Sequence, residues 1–501
     1  MGHGGLDPWP IAGRYLPSSC GGRHLMEWTG LALLGLVGVG IISTGLPAAI
    51  VLIAVATFGA IIGVAAGTIE GSTLWALPSR LINLFENDLL QALPLYVMMG
   101  LLLDRLPVAD ALYRAGNAVL PRSPSAPLVS GMMLGALLGP MNGSVGASVL
   151  GLSRVVSPRL AAEGIPAPNR HAIIAVASTL GVLVPPSLVL ILLSDAMLSA
   201  HTMAVTATGR SDRVVNTQDI FHAALVPGGI FLALCLALSW IAGRTATKLP
   251  DRERLTAGQG LLAAVALVSL IALLGGVALG YFYAVEAAAM GAFALLAAGL
   301  LTGRLRGVVL NKVLNDAIAL TGALFSLLLA ATTFTMVLRL LGTADLVGKM
   351  VSSIPGSDIT AVAVVLSVIG VSAFVLDAFE IIFVIVPIVI PPLLIRIADA
   401  RWVSVLVLLT LQSSFLLPPF GYALMMVRGV LKETVAFRSF VRSLAPFLAA
   451  QWLLLLLVLF FPQLTHVGQS SEDGSRLPAA PLSDAEFNKR LNEMIKLPEP
   501  E

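Results

Sequence analysis

The feature that most restricts this chain is a succession of long apolar runs, parted by short polar breaks, that extends from Trp28 to Pro462. A helix needs about 20 mainly apolar residues to cross a bilayer, and roughly 11 to 13 stretches qualify as spanning, broken or re-entrant candidates. Barrel strands alternate apolar and polar positions in short segments. These runs do not alternate, so the spanning elements are helices. Composition agrees: 57% of the 501 residues are apolar and 12% charged, against about 25% charged in soluble domains. That excludes an ordinary cytoplasmic enzyme and is the reverse of what disorder requires. A net charge of +2 leaves no basic footprint for nucleic acid. The expected fold class is an all-α polytopic membrane protein.

Other chemistries find no support. Cys20 and Cys235 cannot make a disulfide framework, and Cys235, inside the run Phe221–Ala242, reads as an inert buried thiol. The six histidines include no metal-spaced pair, so no transition-metal site is expected, and no phosphate-binding G-x-x-x-x-G-K-[ST] loop is present. No catalytic residue or organic cofactor is expected.

Residues 1–25 are polar, rich in Gly and Pro, and read as a disordered arm rather than a signal peptide. Residues 468–501 form a polar tail in which Ser483–Lys496 could make a short helix, with Ser483 as N-cap and Glu486 three residues on. A docking helix and a solvated tail are both open there. Gly45-Leu46-Pro47 suits a tight turn with proline near a helix start. Basic clusters at Arg244–Arg254 and Arg304–Lys312 flank two runs, Gly260–Gly280 and Ala284–Thr302, so they share one face. The positive-inside rule makes that face cytoplasmic. The polar stretch 197–219 is either a surface loop or a docking surface.

Two regions repeat a pattern of a polar motif, an apolar helix and a Pro-Pro break. Ser144 precedes Pro185 by 41 residues, and Asp377 precedes Pro418 by the same 41. Interrupted helices at matching places in two halves are the best sequence pointer to a transporter's binding site. Proline lacks an N–H, so the pairs leave the carbonyls of Gly181, Val182, Ser414 and Phe415 without their helical partners. Such groups are costly in lipid unless satisfied. A sodium ion, which takes oxygen ligands, satisfies them, with hydroxyls of Ser178, Thr179, Ser413 and Ser414 near in sequence. The small residues of Asn142-Gly143-Ser144-Val145-Gly146 permit a tight tip whose N–H groups meet a carboxylate.

Asp377 and Glu380 lie between apolar runs, where carboxylates are functional by default. Asp377 is the stronger candidate, as a sodium ligand or a group orienting one; Glu380 is a second candidate or a hydrogen-bonding support. Glu286 suits the N-terminal charge of a helix. Asp195 and Arg339 are further membrane charges whose partners the sequence does not show.

In their order along the chain, these stretches resemble the large membrane subunit of tripartite ATP-independent periplasmic (TRAP) transporters, the DctM-like family. The resemblance runs from about Met26 to Pro462 and rests on Gly45-Leu46-Pro47, Leu93-Pro94-Leu95-Tyr96, Gly143–Val149, Thr179-Leu180-Gly181 with Pro185-Pro186-Ser187, Pro227-Gly228, Glu286–Ala289 and Asp377–Pro387. Phe379-Glu380-Ile381, Leu411–Phe415 and Pro418–Gly421 are similar to the mannitol/chloroaromatic branch. Departures are Asn142-Gly143-Ser144 where many relatives have Ser-Gly-Ser, Tyr283–Glu286 where Thr-Pro-Thr-Glu is common, and Gly164-Ile165 where Gly-Tyr is common.

The resemblance implies an elevator-type transporter with two repeats, each holding a re-entrant hairpin and a broken helix. It implies scaffold helices over 26–126, a first transport repeat over 127–243, scaffold and connecting helices over 244–358 and a second repeat over 359–467. Substrate contacts are then expected at Asn142, Gly143, Ser144, Gly146, Pro186, Pro419 and Gly421. Sodium contacts are expected at Ser178, Thr179, Gly181, Val182, Asp377, Gln412, Ser413 and Ser414. The implied partners are a small DctQ-like membrane subunit and a periplasmic DctP-like binding protein. The implied task is sodium-coupled import of small organic acids, 2-oxo acids among them, across a bacterial inner membrane. A stand-alone sodium- or proton-coupled anion carrier is the alternative; a channel would not explain two broken, hydroxyl-lined helices so readily.

Overall fold

The computed structural model describes residues 20–467 apart from 87, 211–212, 245–254, 420 and 432. The arm over residues 1–19, most of the Arg244–Arg254 cluster and the Ser483–Lys496 helix lie outside the described residues. Helix α1 (Cys20–Thr44) starts six residues before the boundary expected at Met26. Polar Arg23 and His24 are therefore its first turns rather than part of a disordered arm.

The described residues are helical with no strand, and nine helices are long and apolar enough to cross a membrane. Gly45, in the left-handed region at φ 63°, turns α1 into α2 (Ala48–Ala65), with Pro47 as its N-cap. A short helix α3 (Leu77–Phe85) precedes α4 (Asp88–Arg105), which bends by 64° into α5 (Val108–Val119). Pro107 sets that bend: it begins the new helix while disfavouring helical geometry before it.

Next come α6 (Ala126–Leu138), α7 (Val145–Val155), α8 (Ser157–Ala162), α9 (Ala167–Leu180), α10 (Leu188–Thr208) and α11 (Thr217–Gly243). They are followed by α12 (Ala257–Ala278), α13 (Ala284–Leu301), α14 (Val308–Leu340) and α15 (Thr343–Ser352). The last group is α16 (Asp358–Ser372), α17 (Ala378–Glu380), α18 (Val386–Arg396), α19 (Ala400–Leu416), α20 (Tyr422–Val430) and α21 (Phe437–Phe460). A π turn at Ile381–Ile385 joins α17 to α18.

The order of elements recurs. A helix, a tip and a helix (α6 and α7; α16 and α17–α18) are followed by a helix that stops at a Pro-Pro link (α9; α19), a continuation that is long in the first set and short in the second (α10; α20) and a long apolar helix (α11; α21). Within each set the hairpin packs on its own broken helix, α6 on α9 and α16 on α19. Between sets the contacts cross, α7 against α20 and α18 against α10. The remaining helices pack chiefly on one another: α1 on α2, α2 on α14, α14 on α4, α4 on α13 and α12 on α5.

Most of 197–219 is helix, because α10 continues to Thr208. The described residues of 209–216 form a loop, and its arginines are used within the chain. Arg210 donates to the Leu394 carbonyl at 2.5 Å, and Arg213 and Arg401 flank Asp219 at 3.2 and 3.4 Å. The loop thus ties α11 to the ends of α18 and α19. Glu286 sits in the first turn of α13 and accepts the Tyr283 N–H at 2.9 Å, the helix-start role expected of it. Arg339 lies in the last turn of α14, and Asp195 lies within α10.

Candidate functional site

The first hairpin turns over on a 3-10 turn, Gly139–Met141, followed by Asn142, Gly143 at φ 69° and Ser144 in extended geometry. Only glycine adopts that positive φ without strain. Ser144 caps α7, its Oγ accepting the Ala147 N–H at 3.1 Å. The Asn142 amide donates to Ser148 Oγ at 3.0 Å, and Ser148 in turn donates to the Ser144 carbonyl at 3.3 Å. Asn142 therefore braces the tip and also lines a cleft towards Asp104 on α4. Among the described residues nothing bonds the N–H groups of Val145 and Gly146, and unpaired N–H groups at the positive end of a helix favour an anion.

Close packing of glycines places this tip. A Cβ on Gly181 would fall 2.2 Å from the Gly139 carbonyl carbon, so α6 and α9 cross backbone to backbone. A Cβ on Gly100 of α4 would lie 2.7 Å from the Asn142 carbonyl oxygen, so α4 lies directly on the tip. Gly100→Leu is expected to push the tip off α4 and cost about 1–3 kcal/mol, read as a lowered Tm of the purified protein. An unchanged Tm would show that this contact is soft.

Between the tip and the first Pro-Pro link is a cavity of about 20 Å³ lined by Gly143, Ser144, Ser148, Ser178, Gly181, Val182 and Ser187, among others. That is room for one water-sized particle. Ser178 donates to the Ala175 carbonyl at 2.8 Å, which leaves its oxygen lone pairs available to a cation. The helix stops at Leu180, well before Pro185, so the break is a linker rather than a proline kink. The Val182 carbonyl accepts the Ser187 hydroxyl at 2.9 Å and is not left bare, contrary to the simple proline argument. Ser187 also caps α10 through the Leu190 N–H at 3.1 Å. Sequence reasoning named Ser187 within a family-like stretch but gave it no site role, although its place after Pro185-Pro186 was the available signal. Pro186 is buried in the linker.

In the second half Asp377 is the N-cap of α17. Glu380 Oε2 accepts the Asp377 N–H at 3.0 Å, which makes Glu380 the supporting carboxylate. Asp377 Oδ1 is buried and has no partner among the described residues. Gln412 on α19 is fully buried and donates through Nε2 to Thr179 Oγ1 at 2.8 Å, joining α19 to α9, while its Oε1 has no partner among the described residues. Ser413 and Ser414 donate to the Leu409 and Leu411 carbonyls at 2.9 and 2.6 Å. Among the described residues, Asp377 Oδ1 and Gln412 Oε1 are thus two buried acceptor oxygens of this half without a hydrogen-bond partner. Ser414 follows the same pattern as Val182, its carbonyl accepting the Leu417 N–H at 3.4 Å. Pro419 is exposed and Gly421 is buried, its Cβ position 2.7 Å from the Phe415 carbonyl oxygen.

The two halves meet at Tyr422, which the sequence reading missed. A Cβ on Gly146 would lie 2.7 Å from the Tyr422 hydroxyl oxygen, and the Tyr422 ring meets Phe415 edge-on at 6.4 Å between centroids. Tyr422 is the first residue of α20, so the N-terminal ends of α7 and α20 adjoin. The hydroxyl makes no hydrogen bond among the described residues and is a donor at that junction. Its signal was its place immediately after Gly421.

Comparison with known proteins accounts for this arrangement. The chain is 22% identical over 395 residues to a C4-dicarboxylate TRAP transporter large permease protein of Rhodobacter capsulatus, covering 77% of this chain and 88% of that one. It is 22% identical over 402 residues to a sialic acid TRAP transporter permease protein of Haemophilus influenzae, covering 78% and 61%. Among solved structures, the Alcanivorax borkumensis YdaH transporter shares the fold at a TM-score of 0.58 and 14% identity, covering 88% of this chain and 98% of that one. The family model of the tripartite ATP-independent periplasmic transporter DctM component matches residues 34–464. From its first apolar helix to its last, then, this multi-pass membrane protein belongs to the DctM family of TRAP large permeases, whose members are transport subunits and not enzymes.

Proposed function

We propose that the chain is the large membrane subunit of a sodium-coupled, binding-protein-dependent importer of small organic acids. The observation that carries this reading is the cavity of about 20 Å³ at the first tip, where Ser144, Ser178, Gly181, Val182 and Ser187 converge from three elements. A sodium ion there takes hydroxyl and carbonyl oxygens, and a second is held by Asp377, Gln412, Ser413 and Ser414. The substrate carboxylate sits on the open N–H groups of Val145 and Gly146, with the Tyr422 hydroxyl and Gly421 across from it. Gly143 and Asn142 shape the tip, while Pro186 and Pro419 hold the linkers open. Sodium lowers the cost of bringing an anion beside Asp377, so the two bind together.

Relatives named for C4-dicarboxylates and for sialic acid share only the carboxylate. We therefore assign carboxylates as the substrate class, with 2-oxo acids the first to try, as the mannitol/chloroaromatic-type stretches suggest. The hairpins are re-entrant, the recurring element order is a structural repeat, and the two sets move as a unit past the remaining helices in an elevator step. A small DctQ-like subunit extends those helices in the bacterial inner membrane. A periplasmic DctP-like protein delivers the substrate.

The test is uptake into liposomes containing this chain and its small subunit, with labelled 2-oxo and dicarboxylic acids outside. An inward sodium gradient and the binding protein are each supplied or omitted. Uptake that needs both is the expected result. Uptake driven by sodium without a binding protein would replace this reading with the stand-alone carrier.

A further inference from the structure

A second cavity lies away from the tips. It is a cleft of about 270 Å³ between the α4–α5 bend and the pair α12–α13, walled almost wholly by apolar groups, among them Met99, Leu103, Leu270, Ala294 and Ala298. Met141, from the turn beside Asn142, also lines it. An apolar cavity of this kind does not hold water, and α12 and α13 expose apolar residues around it, Val265 by 56% and Leu301 by 86%. With α12 and α13 long and apolar enough to cross a membrane, a cleft between them and the α4–α5 bend faces acyl chains in a bilayer.

The charged residue of the cleft's lining, Arg304, lies at the end where α13 stops. It is exposed and makes no side-chain hydrogen bond or ion pair with the described residues. Three elements put that end at the same membrane face. Arg304 follows α13, α12 begins there, and Arg105 at the end of α4 pairs at 3.6 Å with Asp316 near the start of α14. This face carries the Arg304–Lys312 cluster, which the positive-inside rule makes cytoplasmic. The depth also has meaning. The wall residues of α13 and its C-cap run from Gly291 to Thr302, about 16 Å at the rise of a helix. Half of a hydrocarbon core about 30 Å thick is nearly the same length.

We propose that the cleft is a phospholipid site of the cytoplasmic leaflet, with one acyl chain between α4–α5 and α12–α13 and the phosphate on Arg304. The chain enters sideways from the bilayer, its length matches one leaflet, and the guanidinium supplies the charge that an anionic headgroup needs. An acyl chain there packs against both sides of the α4–α5 bend and against Met141 of the first tip.

The test uses the full chain with its small subunit, stripped of lipid in detergent and titrated with phosphatidylglycerol while native mass spectrometry counts bound lipid. Wild type is expected to take up one lipid saturably. Ala298→Phe, which fills the cleft, is expected to abolish that uptake, and Arg304→Gln to weaken it at least tenfold without changing the Tm. Should Ala298→Phe fail to fold, Ala266→Phe on the opposite wall carries the same test. Absence of a saturable lipid in wild type, or equal uptake by both filled variants, would overturn the proposal. So would a cleft that binds lipid in the lone chain but not with the small subunit, since the occupant would then be that subunit.

Discussion

Asp377→Ala should abolish sodium-driven uptake while leaving the protein inserted and folded. Asp377 Oδ1 is buried without a partner among the described residues, whereas its neighbour Glu380 is engaged with the Asp377 N–H at 3.0 Å. A carboxylate oxygen in that position is costly unless a cation or a donor reaches it. Removing the charged partner of a buried cation costs about 3–5 kcal/mol, more than a hundredfold in sodium affinity. The alanine also removes the N-cap of α17, worth about 1 kcal/mol, so the decisive companion is Asp377→Asn. Asparagine caps a helix as well as aspartate does but carries no charge. If both variants lose sodium-dependent uptake and Asp377→Asn keeps its Tm, the charge is the cause. Normal uptake at low sodium in either variant would remove Asp377 from the coupling site.

How much of this was legible in the sequence differs from element to element. The helices were, because each must satisfy its backbone internally within lipid. Runs such as Gly260–Gly280 and Ala284–Thr302 accordingly became α12 and α13 within three residues at either end. The start of α1 at Cys20 and the extension of α10 to Thr208 were not, because polar residues at a membrane surface fit a helix turn as readily as a loop. In the site, residues joined by short spacing were found together: Gly143 and Ser144 with Ser178, Gly181 and Val182 line one cavity. Asn142 was read as a ligand contact, and the structure uses its amide to brace Ser148. Tyr422 and Ser187 were missed as site residues because their significance lies in what they face. Tyr422 matters through Gly146, 276 positions earlier in the chain, and no periodicity encodes such a crossing. The proline argument located both breaks but misjudged the carbonyls, since Ser187 supplies to Val182 the hydrogen that the helix withdrew.

Gly181→Ala should be the most damaging single methyl in the protein's first half. The residue has ordinary helical geometry, φ −58° and ψ −23°, so alanine meets no conformational objection there. The objection is steric. The new Cβ would lie 2.2 Å from the Gly139 carbonyl carbon, 2.4 Å from its Cα and 2.6 Å from the Pro140 nitrogen, all backbone atoms that no rotamer change can move aside. The α6–α9 crossing must open, at a cost of about 3 kcal/mol or more, and the cavity of about 20 Å³ beside it loses its shape. Gly229→Ala in α11 is the control, because its Cβ would meet nothing within 4 Å. Alanine there should be neutral or stabilise by up to about 1 kcal/mol. The measurement is Tm with and without sodium, since a ligand that binds only the folded state raises it. Gly181→Ala is expected to lower Tm and to lose the sodium-dependent rise, while Gly229→Ala keeps both. A sodium response that survived Gly181→Ala would move the ion away from the first tip and leave it to Asp377, Gln412, Ser413 and Ser414.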